Sequence, residues 1–211
     1  MKGFNLKTSK RSQVSSFLVM DIMREASLLE ADGNHIIHME VGQPSTGASK
    51  EALLELRKKM LTDNLGYSLA LGLPELRKGI SKLYKIRYQL DIEAERVIIT
   101  SGSSAAFILA FTAFFDCGDK VLVGEPGYPS YKNILKSLNL LPELTLTNSS
   151  SKFQLTKDDI LKSNSKGVLI ASPSNPTGTS LKASELKSLV NAAKKRNMTF
   201  ISDEIYHGLN F

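Results

Sequence analysis

The sequence predicts an α/β fold, a three-layer α/β/α arrangement about a mostly parallel sheet. Three observations carry that expectation. From residue 96 to 204, short apolar runs (RVIIT, KVLVG, LPELTLT, GVLIA, TFISDE) alternate with stretches of helical pattern. Such alternation implies crossover units, with parallel strands covered by helices on both faces. GVLIA at 167–171 has no polar position, as befits a strand buried on both sides. Finally, four of the seven prolines (Pro126, Pro129, Pro173, Pro176) fall in the loops after two of these strands.

The elements follow in order. Residues 14–32 place Phe17, Met20, Met23 and Ala26 at helical spacing. IIHMEV at 36–41 reads as a strand. Residues 50–62 and 75–88 read as helices, the second opened by Pro74 in its first turn. RVIIT (96–100) is a β-branched strand, and the apolar stretch 104–115 is a buried helix. KVLVG (120–124) leads to a helix at 130–138, LPELTLT (141–147) to a short helix at 157–162, and GVLIA to a helix at 183–197. TFISDE (199–204) closes the series as a strand, and Asn148–Ser151 is a short polar connection.

Composition narrows the function classes. The 211 residues are enough to bury a core, and 42% hydrophobic with 23% charged is a globular balance. Cys117 is the single cysteine, so no internal disulfide forms and nothing points to an oxidising compartment. The N-terminus is basic but no apolar leader follows it. The longest apolar run, AAFILAFTAFF at 105–115, falls short of the roughly 18 residues of a membrane helix. A cytoplasmic protein is expected, with no membrane partner. The net charge of +6 raises nucleic acid as a partner. Its lysines argue otherwise, because groups such as Arg57-Lys58-Lys59 and Lys194-Lys195-Arg196 lie on amphipathic helices without interleaved aromatic residues.

Parallel strands joined by crossovers deliver their carboxyl ends to one edge, where ligands bind. Four loops therefore matter. Ser101-Gly102-Ser103-Ser104 leads straight into a helix, where free N–H groups and hydroxyls suit a phosphate or simply cap the helix. In Glu125-Pro126-Gly127-Tyr128-Pro129, the second proline holds Tyr128 extended, so its ring either stacks on a flat ligand or covers the core. In SPSNPTG (172–178), Pro173 and Pro176 stiffen the chain around Asn175, whose amide serves a ligand oxygen or a local Asx-turn. Asp203 emerges from an apolar strand in Ser202-Asp203-Glu204-Ile205-Tyr206-His207, and a buried carboxylate needs a cation or hydrogen bonds.

Together these loops resemble the class I/II aminotransferases, which are fold-type I enzymes dependent on pyridoxal 5′-phosphate (PLP). Six motifs in family order carry the resemblance: VGQPS (41–45), GYSLALGLPELR (66–77), TSGSSAAF (100–107), EPGYPSY (125–131), SPSNPTG (172–178) and SDEIYHGL (202–209). The resemblance implies that Gly102, Ser103 and Ser104 hold the cofactor phosphate and that Tyr128 stacks on the pyridine ring. It implies that Asn175 and Tyr206 hydrogen-bond the phenolic oxygen and that Asp203 pairs with the protonated ring nitrogen. Gly42 would approach the substrate carboxylate through its backbone, with Asn175 also facing substrate. Tyr67 would reach the cofactor phosphate of a neighbouring subunit, so a homodimer is expected.

The resemblance also implies an amino acid and a 2-oxo acid as substrates. It divides the chain into an N-terminal arm with part of a small domain (1–48) and a large PLP-binding domain (49–211). The family's Schiff-base lysine and its carboxylate-binding arginine are expected beyond Phe211, so the 211-residue chain alone is expected to be inactive. A PLP-dependent lyase or decarboxylating synthase, and a non-catalytic PLP-binding module, are the alternatives. His35 and His38, three apart near the expected strand, are placed on opposite faces, and no metal is expected of them or of His207.

Overall fold

The structure is a computed structural model that describes residues 7–42 and 46–209. By its packing the chain divides into two units: Leu18–Ser101, and Met1–Phe17 joined to Gly102–Phe211. The division at 48/49 expected from the resemblance is a different cut, made along the whole protein's domains.

The first unit carries helices α1 (Leu18–Ala31), α2 (Lys50–Thr62) and α3 (Pro74–Tyr88). Pro74 occupies the first turn of α3, where its missing N–H costs nothing. The strands expected at 36–41 and 96–100 are not formed. β-Branched residues favour extended backbone, but a strand also needs a ladder partner. Val97 is indeed extended, with φ −94° and ψ 124°. Its segment is held to α3 and the preceding loop instead. Arg77 Nε donates to the Val97 carbonyl at 2.8 Å, the Ser81 hydroxyl donates to the Ile92 carbonyl, and the Ile99 N–H donates to the Leu71 carbonyl at 3.1 Å. His38 lies not on a strand face but between two carboxylates, 2.6 Å from Glu40 and 3.0 Å from Glu30.

The second unit is the α/β layer structure. It runs α4 (Ser103–Phe114), β1 (Lys120–Glu125), α5 (Pro129–Ser137), β2 (Leu141–Leu146), α6 (Lys157–Lys162), β3 (Gly167–Ala171), α7 (Ala183–Lys195) and β4 (Thr199–Asp203). The four strands pair in the order β2-β1-β3-β4, all parallel. The side-chain period of two sorts the strands between two cores. Val121, Val123 and Leu169 face Phe107, Phe111, Phe115, Tyr131 and Leu135 of α4, α5 and the turn after α4. Leu122, Val168 and Ile170 face Ile160 of α6 and Leu189, Ala192 and Ala193 of α7. A capping box starts α6: Thr156 Oγ1 accepts from the Asp159 N–H, and Asp159 accepts from the Thr156 N–H at 2.8 Å.

Burial of α4 is one-sided rather than complete. Phe107 and Phe111 are buried, whereas Ile108, Leu109 and Phe114 are exposed. An all-apolar helix lying on a sheet covers one stripe, and the opposite stripe needs a second neighbour. No helix of the described residues is long and apolar enough to cross a membrane.

Candidate active site

The parallel register puts the loops after β1, β3 and β4 at one edge of the sheet. Ala171, the last residue of β3, stands opposite Asp203, the last of β4. Beyond them the Ser172 N–H donates to the Asp203 carbonyl at 3.1 Å, so the two loops leave the sheet tied together.

A cleft opens there, lined by Ser103, Tyr128, Asn175, Asp203 and Tyr206 together with Tyr131. Ser103 starts α4, with Gly102 as its N-cap at φ +80° and ψ 173°. That left-handed backbone suits glycine, and nothing lies within 4 Å of where a Cβ would stand, so the backbone there is open to close approach. The first N–H groups of any helix have no carbonyl partner within it, and the helix dipole adds positive potential. Ser104 follows on the same turn and is exposed.

Tyr128 caps α5 with φ −64° and ψ 120°, the extended backbone that a following proline imposes. Gly127 makes the preceding turn possible, since a Cβ there would meet the Gly124 carbonyl oxygen at 2.6 Å. The Tyr128 ring is half-buried and meets Phe17 and Tyr131 edge-on, with centroids 5.8 Å and 5.4 Å apart. Asn175 is half-buried between Pro173 and Pro176. Gly178, at φ +66°, turns the loop back so that its N–H donates to the Ser174 carbonyl at 2.7 Å.

Asp203 is half-buried, and both of its carboxylate oxygens have neutral donors. The Tyr131 hydroxyl donates to Oδ2 at 2.5 Å, and the Ile205 N–H donates to Oδ1 at 3.1 Å. None of the ion pairs among the described residues includes Asp203. Tyr131 is 3% exposed. Burial first, and then the hydrogen bond to Asp203, drive its phenol far above the usual tyrosine range, so it stays a donor at any working pH.

Gly42 and Tyr67 belong to the first unit, and both are exposed there. Gln43, Pro44 and Ser45 of the VGQPS motif lie outside the described residues. Among the described residues no group of three or more His, Cys, Asp or Glu is placed to hold a metal.

Comparison with known proteins decides the family. The family "Aminotransferase class I and II" matches residues 34–211. The chain belongs to the class I and II aminotransferases. A curated relative in this family, the valine–pyruvate aminotransferase of Mycobacterium tuberculosis, is 37% identical over 205 residues, or 96% of this chain and 53% of the relative. The (5-formylfuran-3-yl)methyl phosphate transaminase of Methanocaldococcus jannaschii is 36% identical over 194 residues, or 92% of this chain and 50% of that protein. Among solved structures, an aminotransferase from Mycobacterium tuberculosis superposes with a TM-score of 0.93 at 36% identity, over 97% of this chain and 53% of that one. The chain thus spans about half the length of the aminotransferases it matches.

Two residues, Tyr131 of the cleft and Gln154 of a hollow that shares residues with it, escape sequence reasoning. Tyr131 stands three residues after Tyr128, one turn along α5, a spacing that puts both rings on one face. That spacing was a usable signal. Gln154 had none, because a lone polar residue in FQLT reads as an exposed strand or loop position. In the structure it is buried.

Proposed function

We propose that the complete protein is a PLP-dependent aminotransferase that moves an amino group between an L-amino acid and a 2-oxo acid. Residues of this chain supply most of its cofactor contacts. The observation that carries the reading is Asp203: a half-buried carboxylate, hydrogen-bonded by two neutral donors and lacking an ion pair among the described residues, in the lining of a cleft that holds three tyrosines. A carboxylate so placed is completed by a cationic ligand group.

The residues present fit PLP. Gly102 leaves room at a helix N-terminus where a side chain would stand, with Ser103 and Ser104 beside it, and these three would hold the phosphate. Tyr128 would stack on the ring, while Asn175 and Tyr206 would donate to its phenolic oxygen. Asp203 would hold a proton on the ring nitrogen. When bound, PLP supplies an electron sink for the charge left as an α-proton departs. The work of this chain is to seat the ring, keep the nitrogen protonated through Asp203, and exclude water from the Tyr128 side. Gly42 and Asn175 would meet the substrate, and Tyr67 would serve the partner's phosphate in a homodimer. We place the protein in the cytoplasm, with the domain division at 48/49.

The test is amino transfer by the complete protein from a panel of L-amino acids to 2-oxoglutarate or pyruvate, with sedimentation to read the dimer. Transfer is expected. Release of ammonia or CO₂ without transfer would instead favour a lyase or decarboxylating synthase.

A further inference from the structure

Gln154 sits between the turn at Ser149–Ser151 and α6, and is 6% exposed. Its Nε2 donates to three oxygens: the Ala171 carbonyl at 3.1 Å, the Thr179 carbonyl at 3.2 Å and Thr179 Oγ1 at 3.2 Å. The orientation of the amide follows from chemistry, since an oxygen in that place would face two backbone carbonyls. Ala171 ends β3, and Thr179 is where the Asn175 loop returns. One side chain from the β2–α6 connection therefore spans the neck of a loop it does not belong to.

Inside that neck the Ser174 N–H donates to the Thr179 carbonyl at 3.0 Å, and Ser172 Oγ accepts from the Leu181 N–H at 2.9 Å. Gln154 and Asn175 also line one hollow, with Ser174 and Tyr131, that shares Tyr131, Ala171 and Asn175 with the cleft. The prolines stiffen the loop locally, but they do not set where its two ends stand. A buried donor bridging both ends does so: the Thr179 carbonyl keeps the Ser174 N–H without it, but the Ala171 carbonyl would lose its side-chain donor in the interior, which is costly.

We propose that Gln154 is a positioning residue for Asn175: by clasping the neck of the 172–178 loop it sets the carboxamide that Asn175 presents to the cofactor's phenolic oxygen. The inference rests on the PLP reading of the cleft. The test uses the full-length protein carrying Gln154→Met, which keeps length and burial but removes the donor, and Gln154→Lys, which restores a donor.

One arm is hydrogen exchange without cofactor. Amides of residues 172–181 should exchange about tenfold faster in Gln154→Met, with β1 and β3 unchanged and the lysine variant recovering much of the protection. The other arm compares affinity for PLP with that for 3-deoxypyridoxal 5′-phosphate, which lacks the phenolic oxygen. The preference for PLP should fall about threefold to tenfold in Gln154→Met and in Asn175→Ala, with no further fall in the double variant.

A folded Gln154→Met protein with its preference intact, or with both probes weakened equally, overturns the proposal. Unchanged exchange in the loop overturns it as well. If the wild type binds neither probe, the PLP reading fails and with it the role given to Asn175, while the exchange arm still decides whether Gln154 closes the loop. Thr179→Val, which removes the hydroxyl that Gln154 and Thr177 both reach, repeats both arms beside Thr177→Val as its control should Gln154→Met not fold.

Discussion

Replacing Tyr131 with phenylalanine isolates a single hydrogen bond at the heart of the cleft. The ring would stay where it is, edge-on to Phe107 at 5.2 Å and to Tyr128 at 5.4 Å, so packing is preserved. What is lost is the 2.5 Å donation to Asp203, which leaves that carboxylate with the Ile205 N–H. A hydrogen bond to a charged group contributes about 1.5–3 kcal/mol, so a loss of about 2 kcal/mol is expected at neutral pH. For a chain of this size that corresponds to a fall of about 4–8 °C in Tm.

The pH dependence adds a sign. Tyr131 has its phenol raised in the folded state, chiefly by burial and then by Asp203. Its contribution is therefore complete below the unfolded value of about 10 and is lost as pH rises above it, because the unfolded chain then releases a proton that the folded chain keeps. Wild-type stability should fall above pH 10 by up to about 1.4 kcal/mol per pH unit from this group, a slope that Tyr131→Phe lacks. Urea unfolding from pH 7 to 11, followed by circular dichroism, reads both effects. A phenylalanine variant within about 0.5 kcal/mol of wild type at pH 7, with the same alkaline slope, would refute the reasoning.

Three further outcomes are expected. Asp203→Asn in the complete protein should lower turnover about a hundredfold or more while leaving the melting curve cooperative, because it removes the countercharge at the ring nitrogen; near-normal turnover would remove Asp203 from its role. His38, raised to about 9 by hydrogen bonds to Glu40 and then Glu30, should contribute stability fully present below about pH 6.5 and lost as pH climbs through 9; an NMR titration of its ring protons checks the value, and His38→Gln should erase that dependence. Gly167→Ala should destabilise by about 1–3 kcal/mol in chemical denaturation, since a Cβ there would meet Phe115 Cζ at 2.3 Å in a filled core.

The β1–β4 layer was legible because each strand there is bounded by turn residues and the first three are each followed by a helix, so length and pattern agree. RVIIT and IIHMEV show the limit. Their composition specifies extended backbone, but whether a neighbour completes a ladder is a property of the tertiary structure. The apolar run of α4 was legible as a helix but not as one covered on a single side, since hydrophobicity does not say how many neighbours arrive. At the candidate site, Ser103, Tyr128 and Asn175 were legible from proline and glycine punctuation at strand ends, Asp203 from a carboxylate leaving an apolar strand, and Tyr206 only through the family resemblance; all five line one cleft. Tyr131 and Gln154 were not found, because their importance lies in which atom they touch across 72 and 17–25 residues of chain.

The in-register pairing of Ala171 with Asp203 has a consequence for how this scaffold tolerates change in length. Neighbouring strands stand about 4.8 Å apart, so the lateral spacing between the bases of the Asn175 and Asp203 loops is a property of the sheet and not of either loop. Adding residues beyond Tyr206 would leave that spacing untouched. A single residue inserted within Thr199–Ser202 would instead turn Asp203 to the opposite face, away from Tyr131 and toward α7. Divergence among proteins built this way should therefore accumulate as loop insertions and side-chain exchanges, with the number of residues in β4 held constant.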